Sequence, residues 1–217
     1  MKKILLVTHH DLSDPGIISS FLHSNYLTCN INYKNLLLLK KSDIKEYKAI
    51  IIFGGKMSAN SKSIFIKNEY KFLSKAIKLK KTIIGICLGA QIIAKFYGSI
   101  IQKLPNKEVE IGYRKTKKND NSMINDRTKF LQFHNEGISI NSNMELLSSG
   151  NLFNVDAFKI KNKEVYGFQF HPEVTSQMIK NWFGNLKSME KGTDNLSKIL
   201  KDHKIYHKEN YFWLNKI

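Results

Sequence analysis

Three short runs, Ile4 to Val7, Ala49 to Phe53 and Thr82 to Ile86, are apolar at nearly every position rather than at every second one. Continuous apolarity suits strands buried on both faces, as in a parallel sheet covered by helices. Between the first two runs, Ser13-Asp14-Pro15-Gly16 supplies a capping residue and a proline near a helix start, and Ile17, Ile18, Phe21 and Leu22 form an apolar stripe. Between the second and third, Ile66, Tyr70, Leu73 and Ile77 recur at helical spacing. Leu88 to Tyr97 reads as a further helix, ended by Gly98.

Beyond residue 98 the pattern shortens. Segments near 99–104, 108–116, 129–134, 144–149, 155–160 and 164–170 read as strands separated by polar turns such as Lys117-Lys118-Asn119-Asp120-Asn121. A helix is expected from about Glu173, with Val174, Met178 and Trp182 on one face, and the last 25 or so residues suggest a helix and a closing segment. No repeat, long linker or shift in composition divides the chain. The expectation is one α/β domain over 1–217, with a core of about 1–186 and a C-terminal extension over 187–217.

Composition changes this picture little. Of the 35 Lys and Arg residues only Arg114 and Arg127 are arginines, and the net charge is +17. Charge of that size invites a nucleic-acid reading. The lysines, however, are spread along the whole chain, and arginine, the bidentate reader of phosphate and guanine, is almost absent. A solvated surface explains the charge better than specific nucleic-acid binding. Two cysteines, Cys29 and Cys87, make no disulfide framework. The N-terminal apolar run is too short for a signal peptide, and no stretch is long enough to span a membrane. A cytoplasmic location is therefore expected.

The chemistry concentrates in two segments. In Gly85-Ile86-Cys87-Leu88-Gly89-Ala90-Gln91 a buried strand runs straight into a helix, with Cys87 at the junction and a glycine two residues to either side. This is the logic of a nucleophile elbow, in which a sharp turn lifts the reactive atom above the sheet edge. The helix dipole there should favour the thiolate, and the free N–H of Leu88 should face a developing oxyanion. Cys29 has no such frame and reads as structural. In Tyr166-Gly167-Phe168-Gln169-Phe170-His171-Pro172-Glu173, Pro172 biases His171 toward an extended backbone and leaves Glu173 in the first turn of the following helix. His171 could then act as base and Glu173 as its orienter.

Cys87 in its elbow, followed by Phe170-His171-Pro172-Glu173, resembles the class I (triad-type) glutamine amidotransferases, especially stand-alone proteins similar to the amidotransferase part of GMP synthetase. The resemblance runs from Ile4 to about Trp182. It implies a flavodoxin-like, largely parallel mixed sheet with helices on both faces. It also implies a Cys87–His171–Glu173 triad that hydrolyses the glutamine side-chain amide through a γ-glutamyl thioester, without metal or organic cofactor.

Further positions follow from the same resemblance. Gly54-Gly55 matches the oxyanion loop, with the Gly55 N–H pairing with that of Leu88. Met57 and Gln91 match substrate-contacting positions, and Glu110-Ile111-Gly112 a turn near the substrate. Phe133-His134-Asn135-Glu136 matches an aromatic-His-Gly-Asp segment, so that Glu136 would meet the substrate ammonium beside His134. Lys56 in place of proline, Asn135 in place of glycine and Glu136 in place of aspartate are departures around the substrate.

His9, His10 and Asp11 lack further ligands at metal-binding spacing and read as a loop on the rim of the site. The chain has no P-loop, so an ammonia acceptor would be handled by a separate synthetase-type protein. Three rival readings are a γ-glutamyl hydrolase or peptidase using the same triad, a catalytically silent regulatory homologue, and a basic nucleic-acid-binding protein.

Overall fold

The computed structural model describes residues 1–9, 14–119, 124, 128–186 and 188–214. The expected runs become β1 (Lys2–Thr8), β3 (Tyr47–Ile52) and β4 (Thr82–Ile86). Between β1 and β3 lie α1 (Ile17–His23), β2 (Tyr26–Asn32), a 3-10 turn (Tyr33–Leu38) and α2 (Lys41–Glu46). Helix α3 (Ile64–Lys78) joins β3 to β4, and α4 (Leu88–Phe96) follows β4. The shorter strands are β5 (Ile101–Gln102), β6 (Glu110–Lys115), β7 (Lys117–Lys118), β8 (Lys129–His134), β9 (Gly137–Ile138), β10 (Met144–Ser149), β11 (Ala157–Ile160) and β12 (Val165–Phe168). The chain continues through α5 (Ser176–Gly184) and α6 (Leu196–Leu214).

The main sheet has eight strands in the order β2-β1-β3-β4-β12-β11-β10-β7. From β2 to β12 neighbouring strands run parallel, and from β12 to β7 antiparallel. This is the largely parallel, flavodoxin-like α/β sheet. Alternation of side chains along β1 explains the continuous apolar runs. Leu5 and Val7 enter one cluster with Phe72 and Leu73 of α3 and Ile92 of α4. Ile4 and Leu6 enter the opposite cluster with Ile18 and Leu22 of α1 and Trp213 of α6. Every position of such a strand meets a helical layer, so none need be polar.

The structure corrects several expectations. The helix near Glu173 begins at Ser176, because the Thr175 side chain accepts a hydrogen bond from the Met178 N–H at 3.2 Å and so caps it there. Glu173 therefore precedes the helix instead of occupying its first turn. Glu110-Ile111-Gly112 is strand, not turn, paired antiparallel with Gln132 to His134 of β8. Lys117-Lys118 is also strand, paired with Ser148 and Ser149. Helix α1 is preceded by Gly16 with no side-chain cap. Ser13 of the expected capping segment, the turn residues Asp120 and Asn121, and residues 215–217 at the end of the expected closing segment lie outside the described residues.

Candidate active site

Strands β1, β3, β4 and β12 all end at one edge of the sheet, and the residues just past those ends assemble the site: His9, Gly54-Gly55, Cys87, and Gln169 to Glu173. Ligand sites in open α/β sheets form outside the carboxyl ends of parallel strands.

Cys87 sits between β4 and α4 with φ 50° and ψ −106°, a conformation that costs a non-glycine residue of order 1–3 kcal/mol. Its N–H donates to the Phe168 carbonyl at 2.8 Å, and its carbonyl accepts from the Gln91 N–H at 3.0 Å, so both neighbours hold the strained turn. The flanking glycines are packing requirements. A Cβ on Gly85 would stand 2.6 Å from the Ala90 nitrogen, and one on Gly89 would stand 2.1 Å from the Ile52 carbonyl oxygen. The elbow can therefore press directly against β3.

His171 donates its backbone N–H to the Leu131 carbonyl at 2.8 Å, and its ring lies edge-on to Trp182 with centroids 4.7 Å apart. Its Nδ1 is 2.8 Å from Glu173 Oε1, and the ring stands beside Cys87, since a Cβ on Gly54 would touch both His171 Cε1 at 2.9 Å and Cys87 Cβ at 3.4 Å. With Nδ1 on the carboxylate, Nε2 is the nitrogen left for the sulfur. Burial alone would lower the imidazole pKa, but the charges of Glu173 and Cys87 outweigh it and raise it to about 10. Glu173 is in turn fixed by its backbone, whose carbonyl accepts from the Ile17 N–H at 2.9 Å. Gly16, at φ +58°, permits that approach, since a Cβ there would fall 2.0 Å from the same oxygen.

Gly54 and Gly55 border this group. A Cβ on Gly54 would lie 2.9 Å from His171 Cε1, and one on Gly55 would lie 3.0 Å from Leu88 Cδ2 and 2.6 Å from His9 Cβ. His9 is thus not on an exposed rim. It is buried, with Nε2 2.7 Å from Glu69 Oε1 and its ring stacked on Tyr33. The strand end needs a partner for a polar ring that packing has removed from water. His10 and Asp11 lie outside the described residues, among which no group of three or more His, Cys, Asp or Glu could hold a metal ion.

The other expected residues gather around Glu136. Its carboxylate accepts from Ser58 Oγ at 2.8 Å and from Asn60 Nδ2 at 3.3 Å, while its backbone carbonyl accepts from Gln91 Nε2 at 2.9 Å. His134 is buried, with Nδ1 3.0 Å from that same carbonyl and Nε2 3.0 Å from Gln132 Oε1. Burial, with a smaller contribution from the His171 charge, lowers its pKa to about 3, so the ring stays neutral. Met57 is half-buried against the core, and Lys56 is exposed. Sequence reasoning missed Gln169. It follows β12, is fully buried, and points its Nε2 at Cys87 Sγ from 3.8 Å. Its place two residues before His171 is the sole signal that could have found it.

A thiol in a strained turn at a helix start, beside a buried imidazole held by a carboxylate, can perform acyl transfer. Among known protein families, the model for "Glutamine amidotransferase class-I" matches residues 17–185. The chain belongs to the class I glutamine amidotransferase family. Among its relatives in this family, one of the subunits of the glutamine-hydrolyzing GMP synthase of Methanococcus aeolicus is 34% identical over 146 residues, 64% of this chain and 73% of that one. Its counterpart in Methanococcus vannielii is 32% identical over 151 residues, 67% of this chain and 73% of that one. Among solved structures, a glutamine amidotransferase from Thermotoga maritima superposes with a TM-score of 0.86 at 23% identity, covering 98% of this chain and 94% of that one. At that identity the likeness speaks for the fold. No helix among the described residues of this amidotransferase-family chain is long and apolar enough to cross a membrane.

Proposed function

We infer that the chain is a cysteine-dependent glutamine amidohydrolase that releases ammonia from glutamine and passes it to a separate synthetase-type protein. The observation that carries this reading is Cys87 standing beside the His171 ring, whose Nδ1 lies 2.8 Å from Glu173 Oε1. The names of the methanococcal relatives, subunits of glutamine-hydrolyzing GMP synthases, support ammonia delivery to another polypeptide. Residues 1–186 would carry the reaction and 187–217 would form an extension. Two free cysteines suit the reducing cytoplasm.

In the first half-reaction the Cys87 thiolate attacks the side-chain amide carbon of glutamine, and the carbonyl oxygen takes up negative charge. The N–H groups of Gly55 and Leu88 are the donors aimed at that oxygen. His171 gives its proton to the departing nitrogen, so ammonia leaves and a γ-glutamyl thioester remains. The now-neutral imidazole then takes a proton from water, whose oxygen attacks the thioester carbon. The C–S bond breaks to return the thiolate and free glutamate. Glu173, held on Nδ1, fixes the tautomer and stabilises the imidazolium formed in each half. Glu136, whose backbone carbonyl accepts from Gln91, is the group proposed to bind the substrate ammonium, with Met57 and His134 as further substrate-binding residues.

Glutamate and ammonia release from glutamine and from a panel of γ-glutamyl amines tests this, with Cys87→Ser as the control. Turnover of glutamine that disappears in the serine variant supports the reading. Turnover of γ-glutamyl amines with poor use of glutamine would replace it by a γ-glutamyl hydrolase. No covalent labelling of Cys87 by a glutamine-analogue electrophile would leave a regulatory protein.

A further inference from the structure

Cys87 has two polar neighbours, the His171 ring beside it and the carboxamide of Gln169 against its Sγ. Gln169 is rigidly placed. Its backbone N–H donates to the Asp156 carbonyl at 2.7 Å, and no part of its side chain reaches solvent. A carboxamide can present either oxygen or nitrogen to a neighbour, and here its surroundings decide which. The Glu136 backbone carbonyl can only accept, so Gln91 turns its NH2 toward it, at 2.9 Å. The second hydrogen of that NH2 is directed at Gln169 Oε1, 3.3 Å away. With its oxygen engaged by Gln91, Gln169 presents Nε2 to the sulfur at 3.8 Å. The reverse orientation would set a carbonyl oxygen against a thiolate and an NH2 against another NH2.

We propose that Gln169 is a catalytic residue, an N–H donor to the Cys87 thiolate whose orientation is set through Gln91 by the backbone at Glu136. The proposal rests on Cys87 being the nucleophile. Charge on the sulfur is largest before attack and again when the C–S bond of the thioester intermediate breaks, and a fixed donor stabilises it at both moments. Because Gln91 bonds both Glu136 and Gln169, the same carboxamide chain joins the place proposed for the substrate ammonium to the reacting sulfur. Sequence separations of 82 residues between Gln169 and Cys87, and 45 between Gln91 and Glu136, hide this connection from any local pattern.

Alkylation by iodoacetamide at pH 7 isolates the thiolate from amide hydrolysis, because only an S–C bond forms and iodide leaves. Gln169→Met keeps the side-chain length and removes the N–H donor. It should slow carboxamidomethylation of Cys87 about tenfold, while the half-buried Cys29 is labelled at the wild-type rate and reports an intact fold. Gln91→Met, which leaves the Gln169 carboxamide free to turn, should slow it about threefold. Wild-type labelling of Cys87 in the Gln169→Met protein, with Cys29 unchanged, overturns the proposal. If that variant folds poorly, seen as faster Cys29 labelling, Gln169→Glu decides instead. It has the same shape and cannot donate when ionised, so slower labelling of Cys87 supports the role and an unchanged rate refutes it. A wild-type chain that is labelled at Cys87 yet frees no glutamate from any γ-glutamyl compound would remove the function proposed above and with it the catalytic role of Gln169, whereas slower labelling in Gln169→Met would still show its N–H donation to the thiolate.

Discussion

His9 Nε2 lies 2.7 Å from Glu69 Oε1 with both side chains withdrawn from solvent, directly behind the Gly54-Gly55 loop. Strand β1 leads into the histidine and α3 supplies the glutamate, so the pair ties together the elements on either side of that loop. Removing one partner of a buried hydrogen bond leaves the other unsatisfied, at a cost of about 1–3 kcal/mol. Glu69→Leu should lower the urea midpoint accordingly and reduce turnover, whereas Glu69→Gln, which keeps an acceptor at the same place, should remain within about 1 kcal/mol of wild type. Equal stability of the two variants would mean that the contact contributes nothing to the loop.

Gly54 offers a sharper test of the site, since no positive φ restricts substitution there and space alone decides the result. An alanine Cβ would come within 2.9 Å of His171 Cε1 and 3.4 Å of Cys87 Cβ, and the imidazole is the group able to yield. Displacing a base by about 1 Å can cost about 100-fold in rate. Gly54→Ala should therefore lower kcat for glutamine by about that factor, with a thermal midpoint within a few degrees of wild type. Unchanged kcat would show that the ring need not hold its observed position.

How much of this was legible beforehand follows from where each residue sits. The central strands could be read because both of their faces are covered, and the elbow because Gly85 and Gly89 are required by backbone contacts only 2.6 and 2.1 Å from their absent Cβ atoms. Strand β2 escaped because it is an edge strand with half-buried residues, Leu27 being exposed, and so has no continuous apolar run. Helix α5 was expected too early because Pro172 permits a helix start, while the hydroxyl of Thr175 determines where it occurs. The resemblance implied a turn at Glu110-Ile111-Gly112, whereas the residue pattern read 108–116 as a strand, as observed; the missing side chain of Gly112 accommodates Asp194 and Arg114 beside that strand. The pairing of His9 with Glu69 joins residues 60 positions apart and leaves no local trace.

Two of the buried site histidines, His171 and His134, should shape the pH dependence of stability in opposite directions. His171 has its pKa raised in the fold to about 10 from an ordinary 6.5. Its contribution is thus complete below pH 6.5, declines as pH rises, and is gone above about 10. His134 is lowered to about 3, so its contribution is complete above pH 6.5 and declines as pH falls toward 3. One proton limits each slope to about 1.4 kcal/mol per pH unit. Urea unfolding from pH 3 to 10 should show Glu173→Gln flattening the alkaline limb and His134→Gln the acid limb. Parallel wild-type and variant curves on either limb would reject the corresponding assignment.

Glu136 carries the last question, that of substrate. Its carboxylate is oriented by Ser58 at 2.8 Å and Asn60 at 3.3 Å, and Asn60 is itself held by Lys95, so the negative charge is fixed before any ligand arrives. A fixed carboxylate that meets the substrate ammonium contributes to binding alike in the ground state and the transition state, because the ammonium lies far from the reacting amide. Glu136→Gln should therefore raise KM for glutamine about tenfold or more while leaving kcat within about threefold. Asn60→Ala, which only loosens the carboxylate, should raise KM less. Glutaramate, the substrate analogue without the α-ammonium, supplies the control, since its kcat/KM should be the same with Glu136 or Gln at this position. A comparable loss for both substrates would mean that Glu136 supports the loop and that the ammonium is bound elsewhere.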